Sequence, residues 1–395
     1  VRRAILLAFL AAGLAPAAAE GAPAVGPVSH LDARSWALLD ATTGEVLASH
    51  AARRQLPVAS TTKLMTAYVA LKELPLDRIV SAAPYQAEYG ESLLGLRPGQ
   101  RISVRDLLYG LILRSGNDAA YDLALAAAGS EPRFVLQMNR YAAALGLADT
   151  HYANPIGLDQ RGNHSSAYDL AVLARRLLRI PVFARIADSD QAVLDSVRPP
   201  RRIETIDELL EMAPWINGVK TGHTFGARYV LVGSGRRMGV ELIAAVVGAE
   251  TDEERYAGAM RLLEYGFSLY RRRTPVRAGQ ALARPSLRYS GGGLPLRAAR
   301  TVSVGVRRGQ RVEVPVLAPD EVEGPIERGA VLGRAVVRVG GLPAETVPLR
   351  AARTVPRASA FDRARSFVED NPGWIALALL GILGVVALVL RRRSR

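Results

Sequence analysis

Cysteine is absent from this 395-residue chain, and lysine nearly so. Without cysteine no disulfide can close a loop, so any core must hold by burial and hydrogen bonding. Histidine is scarce too. His30, His50, His151, His164 and His223 show no metal-ligand spacing, and no H-E-x-x-H run exists. No metal and no cofactor is expected. Three lysines, Lys63, Lys72 and Lys220, stand against 48 arginines. Arginine does not lose its proton in a protein, whereas a buried lysine can approach neutrality and act as a base. The positions that keep lysine are therefore candidates for amine chemistry. The net charge is +14, yet the arginines are scattered and no aromatic-rich basic module accompanies them. Nucleic acid is set aside as a partner, and the plainest reading is a solvated arginine-rich surface.

The ends carry long apolar runs. Arg2 and Arg3 precede an apolar stretch over residues 4–14, and Ala17-Ala18-Ala19 offers a small-residue cleavage site. Residues 1–19 read as a secretory signal peptide, too short to span a bilayer stably. Residues 374–390 form 17 uninterrupted apolar positions, followed by Arg391-Arg392-Arg393. That length is at the lower limit for a transmembrane helix, and the arginines place a cytoplasmic tail at 391–395. The body is expected outside the cytoplasmic membrane, held to it by this C-terminal helix.

Between the ends two textures appear. Residues 29–273 mix helices and strands. Residues 35–40 and 46–48 read as a hairpin around Gly44, and Ser60 opens an amphipathic segment that Pro75 stops. Helices are expected over 104–113, 117–128, 134–145, 166–178 and 251–270. Residues 229–232 and 242–247 read as adjacent antiparallel strands, with 233–239 as their turn. Residues 274–355 are short β-type runs divided by Gly and Pro, expected as a small all-β domain. Residues 356–373 read as a polar stem.

Two of the three lysines lie in short motifs. In Ser60-Thr61-Thr62-Lys63 the i, i+3 spacing puts hydroxyl and amine on one helical face. A serine is a poor nucleophile until a base takes its proton, and Lys63 suits that task if burial and a second cation, Lys220, lower its pKa. Ser115-Gly116-Asn117 supplies a hydroxyl able to relay a proton and an amide able to bond a substrate amide. Lys220-Thr221-Gly222 precedes a strand, where Gly222 would leave the edge bare for a peptide to lie against. Each motif has a bland counterpart: a helix-capping serine with an exposed lysine, a cap at a helix break, or a turn before a strand. Their order and spacing together outweigh those readings. Lys72 fits the bland one.

The residues around these motifs resemble those of the D-alanyl-D-alanine carboxypeptidases, the low-molecular-mass penicillin-binding proteins of peptidase family S11. The likeness runs from about Ser35 to Phe267. It includes Pro57-Val58-Ala59-Ser60, Ser115-Gly116-Asn117-Asp118, Asn154-Pro155-Ile156-Gly157 and Asn217-Gly218-Val219-Lys220-Thr221-Gly222-His223-Thr224. The resemblance implies an α/β (α+β) catalytic domain of the serine β-lactamase and penicillin-binding-protein type, with a small β domain and a C-terminal anchor. It implies Ser60, Lys63 and Ser115 as catalytic residues. Asn117, Lys220, Thr221, Gly222, His223 and Arg255 would bind substrate, with the backbone N–H groups of Ser60 and His223 facing the oxyanion. The substrate would be peptidoglycan stem peptides ending in D-Ala-D-Ala, and β-lactams would acylate Ser60. Two departures stand out. The segment Thr205-Ile206-Asp207-Glu208-Leu209-Leu210 lacks the asparagine the family often carries there, and the C-terminal run spans rather than lies on a membrane.

Three alternatives remain on sequence grounds. A class A β-lactamase is disfavoured by Ser-Gly-Asn in place of Ser-Asp-Asn, by the lack of an E-x-x-L-N-like segment, and by the extra β region. A D,D-endopeptidase would use the same chemistry on cross-links. A non-catalytic wall-binding protein would have no need of an intact Ser60, Lys63, Ser115, Asn117 and Lys220.

Overall fold

The computed structural model describes residues 28, 30–289, 291–370, 373, 380–387 and 390. The expected signal peptide and tail, and positions 374–379, 388 and 389 of the 374–390 run, lie outside the described residues.

Alternation along the strands decides the architecture. Strand β1 (Ala33–Asp40) turns through Gly44 into β2 (Val46–His50). After it come helices α1 (Lys63–Glu73), α2 (Val104–Leu113), α3 (Asn117–Ala128), α4 (Glu131–Leu145) and α5 (Ala167–Leu178). Strands β3 (Ile216–Thr224), β4 (Arg228–Arg237) and β5 (Val240–Ala249) follow, then helix α6 (Asp252–Ser268). The five strands form one antiparallel sheet in the order β2-β1-β5-β4-β3. Successive side chains point to opposite faces. Ala37, Leu39, Val230, Val232, Ile243 and Ala245 join the core beneath α1–α5. Their neighbours Trp36, Leu38, Leu231, Leu242 and Ala244 pack under α6. With both faces covered, the central strands are apolar throughout despite being antiparallel.

Three features differ from expectation, each for a packing reason. The segment after Ser60 is not amphipathic: every residue from Lys63 to Ala70 is buried, because α1 is the central helix, with α2–α5 packed around it. The strand expected to end at Val232 runs on to Arg237 and its partner starts at Val240, leaving only Met238 and Gly239 to turn. Gly233 and Gly235 are interior positions where a Cβ would stand 2.6 Å from Leu209 Cδ2 and 2.7 Å from the Trp215 ring. The closing helix stops at Ser268, and the arginine run 271–273 belongs to strand β6 (Tyr270–Val276), paired with β7 (Val302–Arg307). A capping box of Thr251 and Glu254 fixes the start of α6.

Beyond β6 the described chain is strand up to Ala351. Its longest pair is β8 (Val331–Val339) with β9 (Leu342–Ala351), and a core of its own gathers Val276, Leu296, Val337, Val347 and Leu349. A last helix, α7 (Ala360–Asp370), buries none of its residues. Among the described residues no helix is long and apolar enough to cross a membrane.

Candidate active site

Ser60 sits in a single 3-10 turn, Ala59–Thr62, that runs directly into α1. Ala59 takes a φ of +48°, and Gly157 presses against it so closely that a Cβ there would stand 2.0 Å from the Ala59 carbonyl oxygen. Lys63, one turn on, is 0% exposed. Its Nζ donates to Ser60 Oγ at 2.8 Å and to the Ile156 carbonyl at 2.7 Å. Burial first, and the charge of Lys220 second, push the Lys63 pKa well below the ordinary lysine value, while Glu91 and Asp118 oppose them. A buried ammonium next to another cation is costly, so the neutral amine is favoured.

Ser115 lies in the break between α2 and α3, and Asn117 opens α3. Ser115 holds a φ of +55°, rare for a residue with a Cβ and a store of roughly 1–3 kcal/mol of strain. Neither buried amine bonds it: the contacts of Lys63 go to Ser60 and Ile156, and that of Lys220 to the Thr221 carbonyl at 3.0 Å. Asn117 Nδ2 donates to Glu91 Oε2 at 2.7 Å, which Tyr85 also bonds through its hydroxyl at 2.5 Å. Burial pushes the Glu91 carboxyl up, but bonds from Asn117, Tyr85 and the Glu88 backbone outweigh it and hold the pKa below the usual value. Asp118 collects the N–H groups of Leu94, Gly95 and Leu96 at 2.7, 2.7 and 2.9 Å, fastening that loop to the start of α3.

The opposite wall is β3, which is an edge of the five-stranded sheet. Lys220, Thr221 and Gly222 are buried along it, and His223 turns outward to stack on Tyr229 at 4.2 Å between ring centroids. Gly222 also has a packing task. A Cβ there would lie 2.8 Å from Ser60 N and 3.0 Å from Ala59 Cβ, so its bareness lets the strand approach the Ser60 turn. Arg255, on α6, donates to the Gly222 carbonyl at 3.1 Å and pairs with Asp252. Burial lowers the Lys220 pKa, Asp207 raises it and Arg255 lowers it, leaving it at about 8.

The structure thus brings Ser60 and Lys63 into contact, with Lys220 acting on Lys63 and Gly222 and Arg255 linked to them through backbone. Glu91, Asp118, the Ile156 carbonyl and Asp207 are the participants that motif reading does not assign. Asp118 and Ile156 fall within segments quoted for resemblance. Glu91 is a single carboxylate in a loop, without a local pattern. Among the described residues no group of three or more His, Asp or Glu side chains is placed to hold a metal.

This geometry can be set beside known proteins. The family model described as D-alanyl-D-alanine carboxypeptidase, peptidase S11, matches residues 20–251. The chain belongs to that family. It is 33% identical over 355 residues to the D-alanyl-D-alanine carboxypeptidase DacC of Escherichia coli, covering 86% of this chain and 88% of that protein. DacF of Bacillus subtilis is 30% identical, with 83% and 87% covered. Among solved structures, penicillin-binding protein 6B of Escherichia coli superposes with a TM-score of 0.59 at 29% identity, covering 84% of this chain and 99% of that one. The D-alanyl-D-alanine carboxypeptidase of Mycobacterium tuberculosis gives 0.58 at 36% identity, with 62% and 95% covered. The α+β fold of the penicillin-binding family member is therefore established.

Proposed function

We propose that this family member is a serine-type D-Ala-D-Ala carboxypeptidase that trims the terminal D-alanine from peptidoglycan stem peptides. The observation that carries the reading is the 2.8 Å contact between Ser60 Oγ and a fully buried Lys63 amine whose pKa is pushed far down. Neutral Lys63 takes the Ser60 proton as Oγ attacks the carbonyl between the two D-alanines. The N–H groups of Ser60 and His223 receive the developing oxyanion. Ser115 passes the proton to the departing amine of D-alanine, and water then releases the shortened peptide from Ser60. Lys220, Thr221 and Arg255 offer the cationic and hydroxyl surface that suits the substrate's terminal carboxylate. Asn117 faces the peptide, which extends along the open edge of β3. A β-lactam follows the same path to an ester on Ser60.

The chain divisions belong to the same proposal. Residues 1–19 direct export, 29–273 catalyse, and 274–355 form an all-β domain with a core of its own. Residues 356–373 lead to a transmembrane helix at 374–390, which places the site on the outer side of the cytoplasmic membrane. The exposed apolar side chains of Leu380, Ile382, Leu383, Val385 and Val386 suit a lipid environment.

Incubation with benzylpenicillin followed by peptide mass spectrometry tests the reading, together with D-alanine release from a peptide ending in D-Ala-D-Ala. A covalent adduct on Ser60 and stoichiometric D-alanine are expected. A folded protein with neither would leave a wall-binding module instead.

A further inference from the structure

Asp207 lies in the segment between α5 and β3, 6% exposed. One carboxylate oxygen accepts from the Leu209 N–H at 3.1 Å, while Oδ2 is buried without a hydrogen-bond partner. The backbone around it is fixed. The Asp207 N–H donates to Thr205 Oγ1 at 3.1 Å, and the Glu208 N–H donates to the Tyr256 hydroxyl at 3.3 Å. Arg255 Nη2 donates to that same hydroxyl at 3.3 Å, so this segment and α6 meet through Tyr256. A buried carboxylate with an unmatched oxygen is costly unless cations offset it. Two do: Lys220 from β3 and Arg255 from α6. The other titratable groups facing the cluster are Glu208 beside Asp207, Asp252 paired with Arg255, the Tyr256 phenol, and Lys63, which feels the charge of Lys220. Lys220 itself bonds only the Thr221 carbonyl, an uncharged acceptor.

We infer that Asp207 is a positioning residue, the buried counter-charge that keeps Lys220 protonated so that its ammonium can receive the substrate's carboxylate. The inference rests on the carboxylate-binding role proposed above for Lys220. Lys220 and Arg255 repel each other in a setting stripped of water, and lysine is the one able to escape by losing its proton. Neutral Lys220 would cease to attract a carboxylate and would cease to hold down the Lys63 pKa. Asp207 prevents both losses. Burial raises the Asp207 pKa to about 6, against the lowering pull of the Leu209 N–H, Lys220 and Arg255, and Lys220 releases its proton at about 8. Asp207 and Lys220 therefore both carry charge, and act on each other through space without direct contact, between those two values.

The chain's three lysines make the test direct. With lysine labelled at Cε by carbon-13, the full protein gives three resonances, assigned with Lys72→Arg and Lys220→Arg. Lys220 should titrate at about 8 in the unaltered protein and at least about one pH unit lower in Asp207→Asn. The KM of Asp207→Asn for a peptide with a free D-alanine carboxylate should be at least about threefold higher at pH 7.5, the fall in the protonated fraction of Lys220 that a one-unit shift from about 8 produces. At pH 5, where Asp207 is itself protonated, the two KM values should converge, which a general loosening of the fold would not produce. An unshifted Lys220 titration, or a lower KM at pH 7.5 from relieved repulsion, overturns the inference. If Asp207→Asn does not fold, the unaltered protein decides, because its Lys220 resonance must show a second inflection near pH 6. A single inflection overturns the inference. The titration needs no turnover, so absent D-alanine release with the expected shift would refute the carboxypeptidase reading alone.

Discussion

Lys63→Arg keeps the positive charge at the Ser60 turn and removes the base. Arginine stays protonated, so acylation by benzylpenicillin should slow by about 10²- to 10⁴-fold, the range of a lost general base. Stopped-flow measurement that finds unchanged acylation would take Lys63 out of the mechanism. The pH profile carries the same logic. A lysine with a depressed pKa is neutral at lower pH than usual, so acylation should climb well before pH 10. It should fall again above about 8, as Lys220 loses the charge that draws the substrate. A profile still rising at pH 10 would mean that Lys63 titrates as an exposed lysine does. At this scale the sequence is informative where partners are close in the chain. Ser60 and Lys63 are legible because three residues of helix bring them together. Glu91, Asp118 and Asp207 are not, because a single carboxylate in a loop, or in the first turn of a helix as Asp118 is, has no pattern announcing which distant cation or N–H it will meet.

Edge strand β3 and the 3-10 turn before α1 meet with no room to spare at Gly222. Substituting alanine there places a Cβ 2.8 Å from Ser60 N, against backbone rather than a side chain able to swing away. Gly222→Ala should therefore cut acylation sharply while costing about 1–3 kcal/mol of stability, the usual penalty of overpacking. Parallel acylation and urea unfolding curves check it, and unimpaired acylation would show that the strand and turn are not so tightly fitted. The helices α2 and α3 were legible to the residue, because apolar periodicity and the Ser115-Gly116 break mark their ends. The end of β4 was not. Gly233 and Gly235 look like turn residues, and only the tertiary neighbours Leu209 and Trp215 explain why glycine occupies a strand. Burial of α1 on all sides was hidden likewise, since it depends on the helices that surround it.

The family's catalytic body and the strands after Tyr270 are joined by a few polar contacts. The Tyr270 hydroxyl donates to Asp40 Oδ2 at 2.6 Å, Arg307 pairs with Glu45, and the Gly305 N–H donates to the Met238 carbonyl at 2.7 Å. Tyr270→Phe strands a buried carboxylate oxygen and should lower stability by about 1–3 kcal/mol. A denaturation midpoint that does not move would show that the joint contributes nothing. The β texture beyond residue 274 was legible from its Gly and Pro spacing, but the arginine run 271–273, where the mixed region was expected to end, was not legible as strand because its partners in β7 lie more than 30 residues downstream. The central claim concerns one proton. Carbon-13 titration of the three lysines reports it in the whole molecule. A Lys63 that gives up its proton well below the ordinary lysine range is the predicted result. A Lys63 that remains an ammonium up to pH 10 would contradict the account.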